Sequence, residues 1–408
     1  MSQLRKGNRA LIKDMNRSLV INTIRKFGPI SRTDISNKTG LGLSTITKII
    51  DELTQNNLVF ETGSASSTGG RRAILLEFNH QSGHAIGVKI MKDHLVLALT
   101  DLDSTILDTL EISFQNKEDV PHIIHLIISN TQILLTQHQL TEENLEGVGI
   151  AVSGLIDNQK GTVVRSSLLN WEDVNLSEPI QQALETPVFI DNDVNAYTYA
   201  EIEKGYGVSH ENFICLSIGD GIGASLVINR KLYSGEFGGA GEFGHTVIHM
   251  DGRPCHCGQH GCLEMYASNK GFEEEASNLI DHYPNTSLNL DTIQFDRVLE
   301  GAQKGDQLAK KLFEKQGEYL GVGLLNAINS FNPGTIVLIG EGMVAKDFFL
   351  PNAMERAKRN FFNFANCDTD IVVSSLGNDA WVKGAALLAI DQLFQPPIYE
   401  TTVSLLNG

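Results

Sequence analysis

No stretch of this 408-residue chain stays apolar long enough to cross a bilayer, which takes about 20 consecutive apolar positions. Membrane insertion is therefore excluded as a reading. A secretory leader is not expected either, since Met1-Ser-Gln-Leu-Arg-Lys runs into charged and polar residues. The expected location is the cytoplasm, where thiols stay reduced. Cysteine is scarce, five in all, and in a reducing compartment disulfides are not expected. Positive charge is short too: 32 Lys and Arg face 49 Asp and Glu, a formal net charge of −17. Spread evenly, that charge would repel nucleic acid. The remaining composition, 41% hydrophobic and 20% charged residues with a mean hydropathy of −0.09, is that of an ordinary soluble protein, and the length suggests two or three domains.

The charge is not evenly spread. Residues 1–80 carry 12 Lys and Arg against six acidic residues, a net +6, which leaves −23 for the rest. A basic head on an acidic body is the asymmetry expected when one module meets phosphates and the other does not. In the head, Leu19, Val20, Ile24 and Phe27 mark an apolar stripe on a first helix that Gly28-Pro29 ends. Ser31-Arg-Thr-Asp34 resembles a capping box, with Asp in place of Glu, and opens a second helix to about Lys38. Gly40 supplies the positive φ of the turn, and a third helix from about Ser44 carries Ile46, Ile49, Ile50 and Leu53 at i, i+3, i+4 and i+7.

That stripe leaves Ser44, Thr45, Thr47 and Lys48 facing outward, a set suited to a major groove. Three amphipathic helices alone would serve equally well as a packing module with a polar face. The continuation decides between the two readings. Residues 58–61 and 73–77 read as strands joined by a Gly- and Ser-rich loop that ends in Arg71 and Arg72, which makes a winged helix-turn-helix over residues 1–80. Arg32, Ser44, Thr45, Thr47, Lys48, Arg71 and Arg72 are the candidate contacts to double-stranded operator DNA, with the paired arginines placed for a minor groove or the backbone.

Three of the five cysteines crowd into Cys255-x-Cys257-x4-Cys262, ten residues after Gly241-Glu-Phe-Gly-His245. Three thiolates and one imidazole are the donor set of a four-coordinate structural Zn2+ site. Gly258 and Gly261 let the loop fold tightly enough to converge on one ion. His256 and His260 also lie in the loop, but a residue wedged between ligating cysteines usually points away, so His245 is the leading fourth ligand. Cys215 and Cys367 read as ordinary buried thiols. Glu242 and Glu264 bracket the loop.

From about residue 83 the pattern alternates strands and helices, an α/β body with ligand groups at strand ends. Residues 85–90 and 95–100 read as a meander, 123–137 as an amphipathic helix, and 147–154 as a strand entering a tight turn. Further strands are read at 187–190, 213–218, 224–228 and 335–339. Asn192-Asp193 follows one of these strands, where an amide and a carboxylate suit the hydroxyls of a small polyol; Glu242 and Glu264 suit the same task. For Asn192 alone a turn or cap role is the simpler reading.

These residues resemble the ROK family of repressors and kinases. The resemblance rests on Gly241-Glu-Phe-Gly-His245, Cys255-x-Cys257-Gly-x-x-Gly-Cys262-x-Glu264, Asn192-Asp193, Ile218-Gly-Asp-Gly-Ile-Gly223 and Asn332-Pro-Gly-Thr-Ile-Val337. It implies an actin-like, hexokinase-type fold of two lobes around a cleft in residues 81–408. The lobes would span roughly 81–195 and 196–395, with the C-terminal segment returning to the first. It further implies sugar contacts from Ser153, Gly154, Asn192, Asp193, Glu242, His245 and Glu264, and zinc on His245, Cys255, Cys257 and Cys262.

Kinase members of the family use the Asp193 position as a base and hold ATP with two glycine-containing turns, the first usually Asp-x-Gly-Gly-Thr. Here that place reads Lys89-Ile-Met-Lys-Asp93, so Lys89, Met91 and Lys92 replace the carboxylate and the glycines. In the second turn Asp220 stands where Thr is common. Phosphoryl transfer depends on positioning nucleotide and metal, so no catalytic residue is expected and Asp193 reads as a relict base that contacts sugar.

The expectation is a transcriptional regulator, repressing sugar-utilisation genes as a homodimer or tetramer and released by a monosaccharide effector, the arrangement of the family's xylose repressors. A sugar kinase carrying a DNA-binding head is the alternative. Some regulators of the family answer instead to a sugar-transport protein, a partner the acidic body would suit.

Overall fold

The computed structural model describes residues 6–64, 73–362 and 368–396. The chain forms two compact units, one built from the residues up to Ala196 together with those from Trp381 onward, the other from Tyr197–Ala380. Among the described residues no helix is long and apolar enough to cross a membrane.

The first unit opens with α1 (Arg9–Phe27), whose first turn is capped by Asn8 accepting the Leu11 N–H at 2.9 Å. Val20 and Ile24 are buried as the pattern predicts, but Leu19 and Phe27 are 44% and 45% exposed. The buried face is rotated toward Arg17, Ser18, Ile21 and Thr23, because Arg17 pairs with Glu52 at 2.9 Å and polar groups share the contact. After β1 (Ile30–Ser31) comes α2 (Arg32–Thr39). The Ser31 hydroxyl accepts the Asp34 N–H and donates to the Asp34 carboxylate at 2.6 Å, one reciprocal backbone bond short of a full capping box. Gly40 ends α2 at φ +73°, and α3 (Leu43–Gln55) buries Ile46, Ile49, Ile50 and Leu53. β2 (Val59–Ser64) and β3 (Ile74–Phe78) pair antiparallel and β1 joins β3. Arg71 and Arg72 lie outside the described residues.

Next comes a five-stranded sheet. β4 (His84–Ile90), β5 (His94–Asp101) and β6 (Ile106–Ser113) form the expected meander, followed by α4 (Val120–Gln137) and β7 (Leu145–Val152). A small antiparallel sheet of β8 (Leu155–Asp157), β9 (Thr162–Ser166) and β10 (Trp171–Asn175) precedes α5 (Ser177–Leu184), and β11 (Val188–Asn192) then closes the order β11-β7-β4-β5-β6. The parallel β4-β7-β11 segment ends at the turns bearing Ser153, Gly154, Asn192 and Asp193, so the strand ends deliver the polar groups. α6 (Asp193–Lys204) starts on Asp193 itself.

In the second unit, β12 (Phe213–Ile218), β13 (Ile222–Ile228) and β14 (Lys231–Tyr233) make an antiparallel run. The helices α7 (Glu264–Ala267), α8 (Gly271–Leu279), α9 (Phe295–Gln303) and α10 (Gln307–Phe331) follow. Then come β15 (Thr335–Ile339), α11 (Lys346–Ala357) and β16 (Asp370–Val373), giving the order β14-β13-β12-β15-β16. Its core joins Leu216, Ile336 and Leu338 of the sheet to Leu320 and Leu324 of α10.

The chain then returns to the first unit as α12 (Ala380–Leu393). This helix presses its backbone onto the five-stranded sheet: a methyl group at Gly87 or Gly149 would overlap the carbonyl oxygens of Val382 and Ala385. Just past its end, Phe394 reaches the head. Its carbonyl accepts from Ser18 Oγ at 3.1 Å and Asn22 Nδ2 at 2.8 Å. Its ring lies 3.7 Å from the Arg25 guanidinium and edge-on to Phe78 at 5.5 Å.

Candidate functional site

The cysteine loop is shaped by its own backbone. Gly261 donates to the Arg253 carbonyl and Cys255 to the Gln259 carbonyl, both at 2.8 Å, while Gly258 and Gly261 sit at φ +92° and +74°. Those are angles that disfavour any other residue. Arg253, 8% exposed, anchors the base of the loop through the Met265 carbonyl at 2.9 Å, Glu274 at 3.1 Å and Glu275 at 2.7 Å.

One ligand atom from each of His245, Cys255, Cys257 and Cys262 lies within 4.8 Å of all the others. Two thiolates about 2.3 Å from a shared tetrahedral ion sit about 3.75 Å apart, and a thiolate and an imidazole nitrogen about 3.6 Å. Cys257 and Cys262 are 3.7 Å apart, and Cys255 Sγ is 3.5 Å from His245 Nδ1. The cluster therefore fits a four-coordinate metal ion. The other ring nitrogen of His245, Nε2, is 3.8 Å from Glu242, a carboxylate placed to orient the imidazole. His256 lies 3.9 Å from Cys255 Sγ but faces Glu264 at 3.5 Å and stays out of the cluster. Burial pushes the Cys262 thiol up to about 12, with the Cys257 and Cys255 thiols adding to it, and burial also raises Cys255. Burial opposes ionisation of Cys257 as well, but the Gln259 backbone N–H and the neighbouring thiols outweigh it and hold its pKa below the usual value. A cation would displace protons from all three.

The polyol residues form two sets, one in each unit. In the first unit Asn192 donates its amide to the Gly154 carbonyl at 3.0 Å and accepts the Val194 N–H at 2.9 Å, so it bridges the two turns and caps α6. Asp193 accepts the same N–H at 3.0 Å. Beneath them lies a residue that sequence reasoning missed, Asp191, which accepts from Asn192 N at 2.7 Å and Asn195 Nδ2 at 2.8 Å and whose pKa burial drives upward. An acid at the end of a buried strand was the available signal.

In the second unit Glu264 is 5% exposed and accepts from Ile222 N at 3.2 Å and Lys270 Nζ at 3.3 Å. Glu242 is exposed. Lys270 was likewise not singled out, and its partner six residues earlier in sequence was the clue.

On the head, Ser44, Thr47 and Lys48 are exposed and Thr45 half-buried. The Thr47 hydroxyl donates to the Leu43 carbonyl at 2.9 Å, which leaves it only acceptor capacity outward. Arg32 pairs with Glu61 of β2 at 3.3 Å. In the first unit Lys89 is 9% exposed with its ammonium 3.3 Å over the Trp381 ring, and the Met91 N–H donates to the His94 carbonyl at 2.9 Å, closing the β4-β5 hairpin. Cys215 is a buried thiol, as read; Cys367 lies outside the described residues.

Comparison with known proteins fits this architecture. The ROK family profile matches residues 85–392. The xylose repressor of Bacillus spizizenii is 33% identical over 387 residues, 94% of this chain and 97% of that protein. A crystal structure of a ROK family transcriptional regulator, a homolog of the E. coli MLC protein, superposes with a TM-score of 0.81 at 28% identity and covers 93% of this chain and 96% of that one. The ROK glucokinase of Streptomyces griseus, solved with glucose and AMPPNP, superposes at 0.65 and 27% identity, covering 76% of this chain and 100% of its own. The fold is the α/β, actin-like fold of the sugar kinases, and the chain belongs to the ROK family.

Proposed function

We propose that this protein is a sugar-responsive DNA-binding repressor whose head, residues 1–80, is a winged helix-turn-helix. One observation carries the reading. The regulator homolog matches 93% of the chain, whereas the glucokinase is matched whole and still leaves the chain covered only to 76%. The part beyond the kinase fold is thus shared with regulators. Exposed Ser44, Thr47 and Lys48 at the start of the amphipathic α3 support α3 as the groove-reading helix. Arg71 and Arg72 are proposed as wing contacts, and Arg32 would have to exchange Glu61 for a phosphate.

The metal is proposed to be Zn2+, held by His245, Cys255, Cys257 and Cys262; zinc has no redox chemistry and would fix the loop that carries Glu242 and Glu264. The effector is proposed to be a monosaccharide contacted by Ser153, Gly154, Asn192, Asp193, Glu242, His245 and Glu264. Because Asn192 also braces Gly154 and α6, its substitution should disturb the turn as well as ligand binding. A sugar changes DNA affinity only as far as it prefers one conformation over another. α12 and Phe394 supply a physical link from the five-stranded sheet to α1 of the head. An exposed apolar row on α1, Ile12, Met15 and Leu19, supports a homodimer or tetramer. A sugar-transport protein, if one controls the chain, has Phe237 and Met250, each 87% exposed, to dock on. The protein is proposed to lack kinase activity.

The test is operator binding by the metal-loaded protein with and without sugars, alongside the Arg71→Ala/Arg72→Ala double variant. The expected results are sugar-sensitive binding and a loss of roughly tenfold or more in the variant, since two phosphate or groove contacts are removed. Indifference to every duplex from its genomic neighbourhood refutes the regulator, and turnover with ATP, magnesium and any sugar at ordinary kinase rates refutes the non-kinase reading.

A further inference from the structure

The hairpin between β12 and β13 turns through Gly219, Asp220 and Gly221; the Gly219 N–H closes it on the Gly221 carbonyl at 3.1 Å, and two further backbone donors are held by the chain's own carboxylates. The Asp220 N–H donates to Glu341 Oε1 at 2.8 Å, and the Ile222 N–H to Glu264 Oε2 at 3.2 Å. Glu341 arrives from the turn after β15, 121 residues further along the chain. A side chain at Gly219 would collide with its carboxylate, so the glycine is what admits it. The Asp220 carboxylate is itself fixed by the Asn269 amide at 3.2 Å. Three carboxylates thus gather at one turn, and the Lys270 ammonium at 3.3 Å and the His256 ring at 3.5 Å both face Glu264.

Backbone N–H groups exposed on a tight turn are the donors that bind oxyanions. Carboxylate and phosphate oxygens compete for the same donors with charge-assisted bonds of similar strength. An incoming phosphoryl group would have to expel Glu341 from the Asp220 N–H while meeting the negative charge of Asp220 and Glu264. A neutral sugar needs neither step.

We propose that Glu341 is an internal anion that fills the turn at 219–221 and sets ligand class: uncharged monosaccharides are accepted, while nucleotides and sugars that would present a phosphoryl group to this turn are refused. The inference rests on the sugar-responsive reading above and deepens it by naming the charge of the effector.

Calorimetric titration of the full-length, metal-loaded protein with pyrophosphate and with MgATP tests it, using wild type, Glu341→Ala and Glu341→Gln. Wild type should show no saturable binding up to about 1 mM ligand, and Glu341→Ala should bind pyrophosphate about tenfold tighter or more. Glu341→Gln should fall between, because its amide oxygen still accepts the Asp220 N–H without the charge; it also carries the test if the alanine variant does not fold. Metal content and thermal transition serve as the folding controls. Equal affinities across the three proteins, or saturable MgATP binding by wild type without turnover, overturn the internal anion and leave the regulator reading standing. Phosphorylation of a sugar by wild type overturns the non-kinase reading itself.

Discussion

Replacing Phe394 by alanine should release the head, the proposed DNA-binding part, from the body while leaving both folded. The side chain is 2% exposed, stacks 3.7 Å from the Arg25 guanidinium and meets Phe78 edge-on at 5.5 Å. Truncating a buried phenylalanine costs about 3–5 kcal/mol. Within that total, the guanidinium contact accounts for roughly 0.5–2 kcal/mol and the aromatic pair for roughly 0.5–1.5 kcal/mol. The two hydrogen bonds from Ser18 and Asn22 end on the Phe394 backbone carbonyl and are not deleted by the change, so the lower figure is the better guide. A loss of about 3 kcal/mol raises the undocked population by roughly a hundredfold. Amide exchange measured by mass spectrometry reads this directly, as faster exchange in peptides from α1 with unchanged protection in β4 and β5. Because the joint ties α1 to the end of α12, sugar should also change operator affinity less in the variant than in wild type. Unchanged protection of α1 in a folded Phe394→Ala protein would show that Phe394 does not hold the head, and the proposed route from sheet to head would fail with it.

The cysteine loop gives a sharper chemical test: Cys257→Ser, at the exposed thiol of the proposed metal site, should abolish stoichiometric metal binding in atomic absorption with little change in the apoprotein's circular dichroism, and full metal content would remove Cys257 from the site. Glu146 gives a pH test. Burial pushes its carboxyl up to about 7, above the unfolded value of 4.5, so the folded state binds the extra proton and stability is lost as pH rises through that window. Glu146→Gln should gain in melting temperature over wild type between about pH 4.5 and 7 and keep a constant advantage above it; a difference that does not vary with pH would mean Glu146 titrates normally.

How much of this could be read beforehand follows the distance over which each feature is encoded. The convergence of the cysteine loop was legible because its four donor residues sit within 18 positions and the glycine turns that bring them together lie between. The meander and α3 were legible for a similar reason: β4 and β5 are short, largely apolar runs that are mostly buried, and α3 buries the stripe Ile46, Ile49, Ile50 and Leu53 on one face. The stripe on α1 was misplaced because its buried face includes Arg17 and Ser18, polar residues whose partners Glu52 and Phe394 are far off in sequence, and Thr23, whose hydroxyl donates to the Leu19 carbonyl one turn back. Asn192 looked like a ligand group or a cap, and the cap and bridge are what its hydrogen bonds display.

The same distance argument explains Lys89 and Glu341. At Lys89 and Asp220 the sequence offered only an expected departure from a phosphate-binding pattern, and a departure names no replacement. What replaces it is set by contacts formed after folding: Trp381, some 290 residues on, lies under the Lys89 ammonium, and Glu341 takes the Asp220 N–H. Neither partner carries a local signal, since a Trp at a helix start and a Glu in a glycine turn are common. Yet the buried Lys89 ammonium and the exposed Asp220 N–H each have a defined partner, and for the ammonium burial makes that partner a requirement. A carboxylate on the Asp220 N–H gives that amide a charged partner within the chain, which accords with the uncharged ligand proposed for this turn.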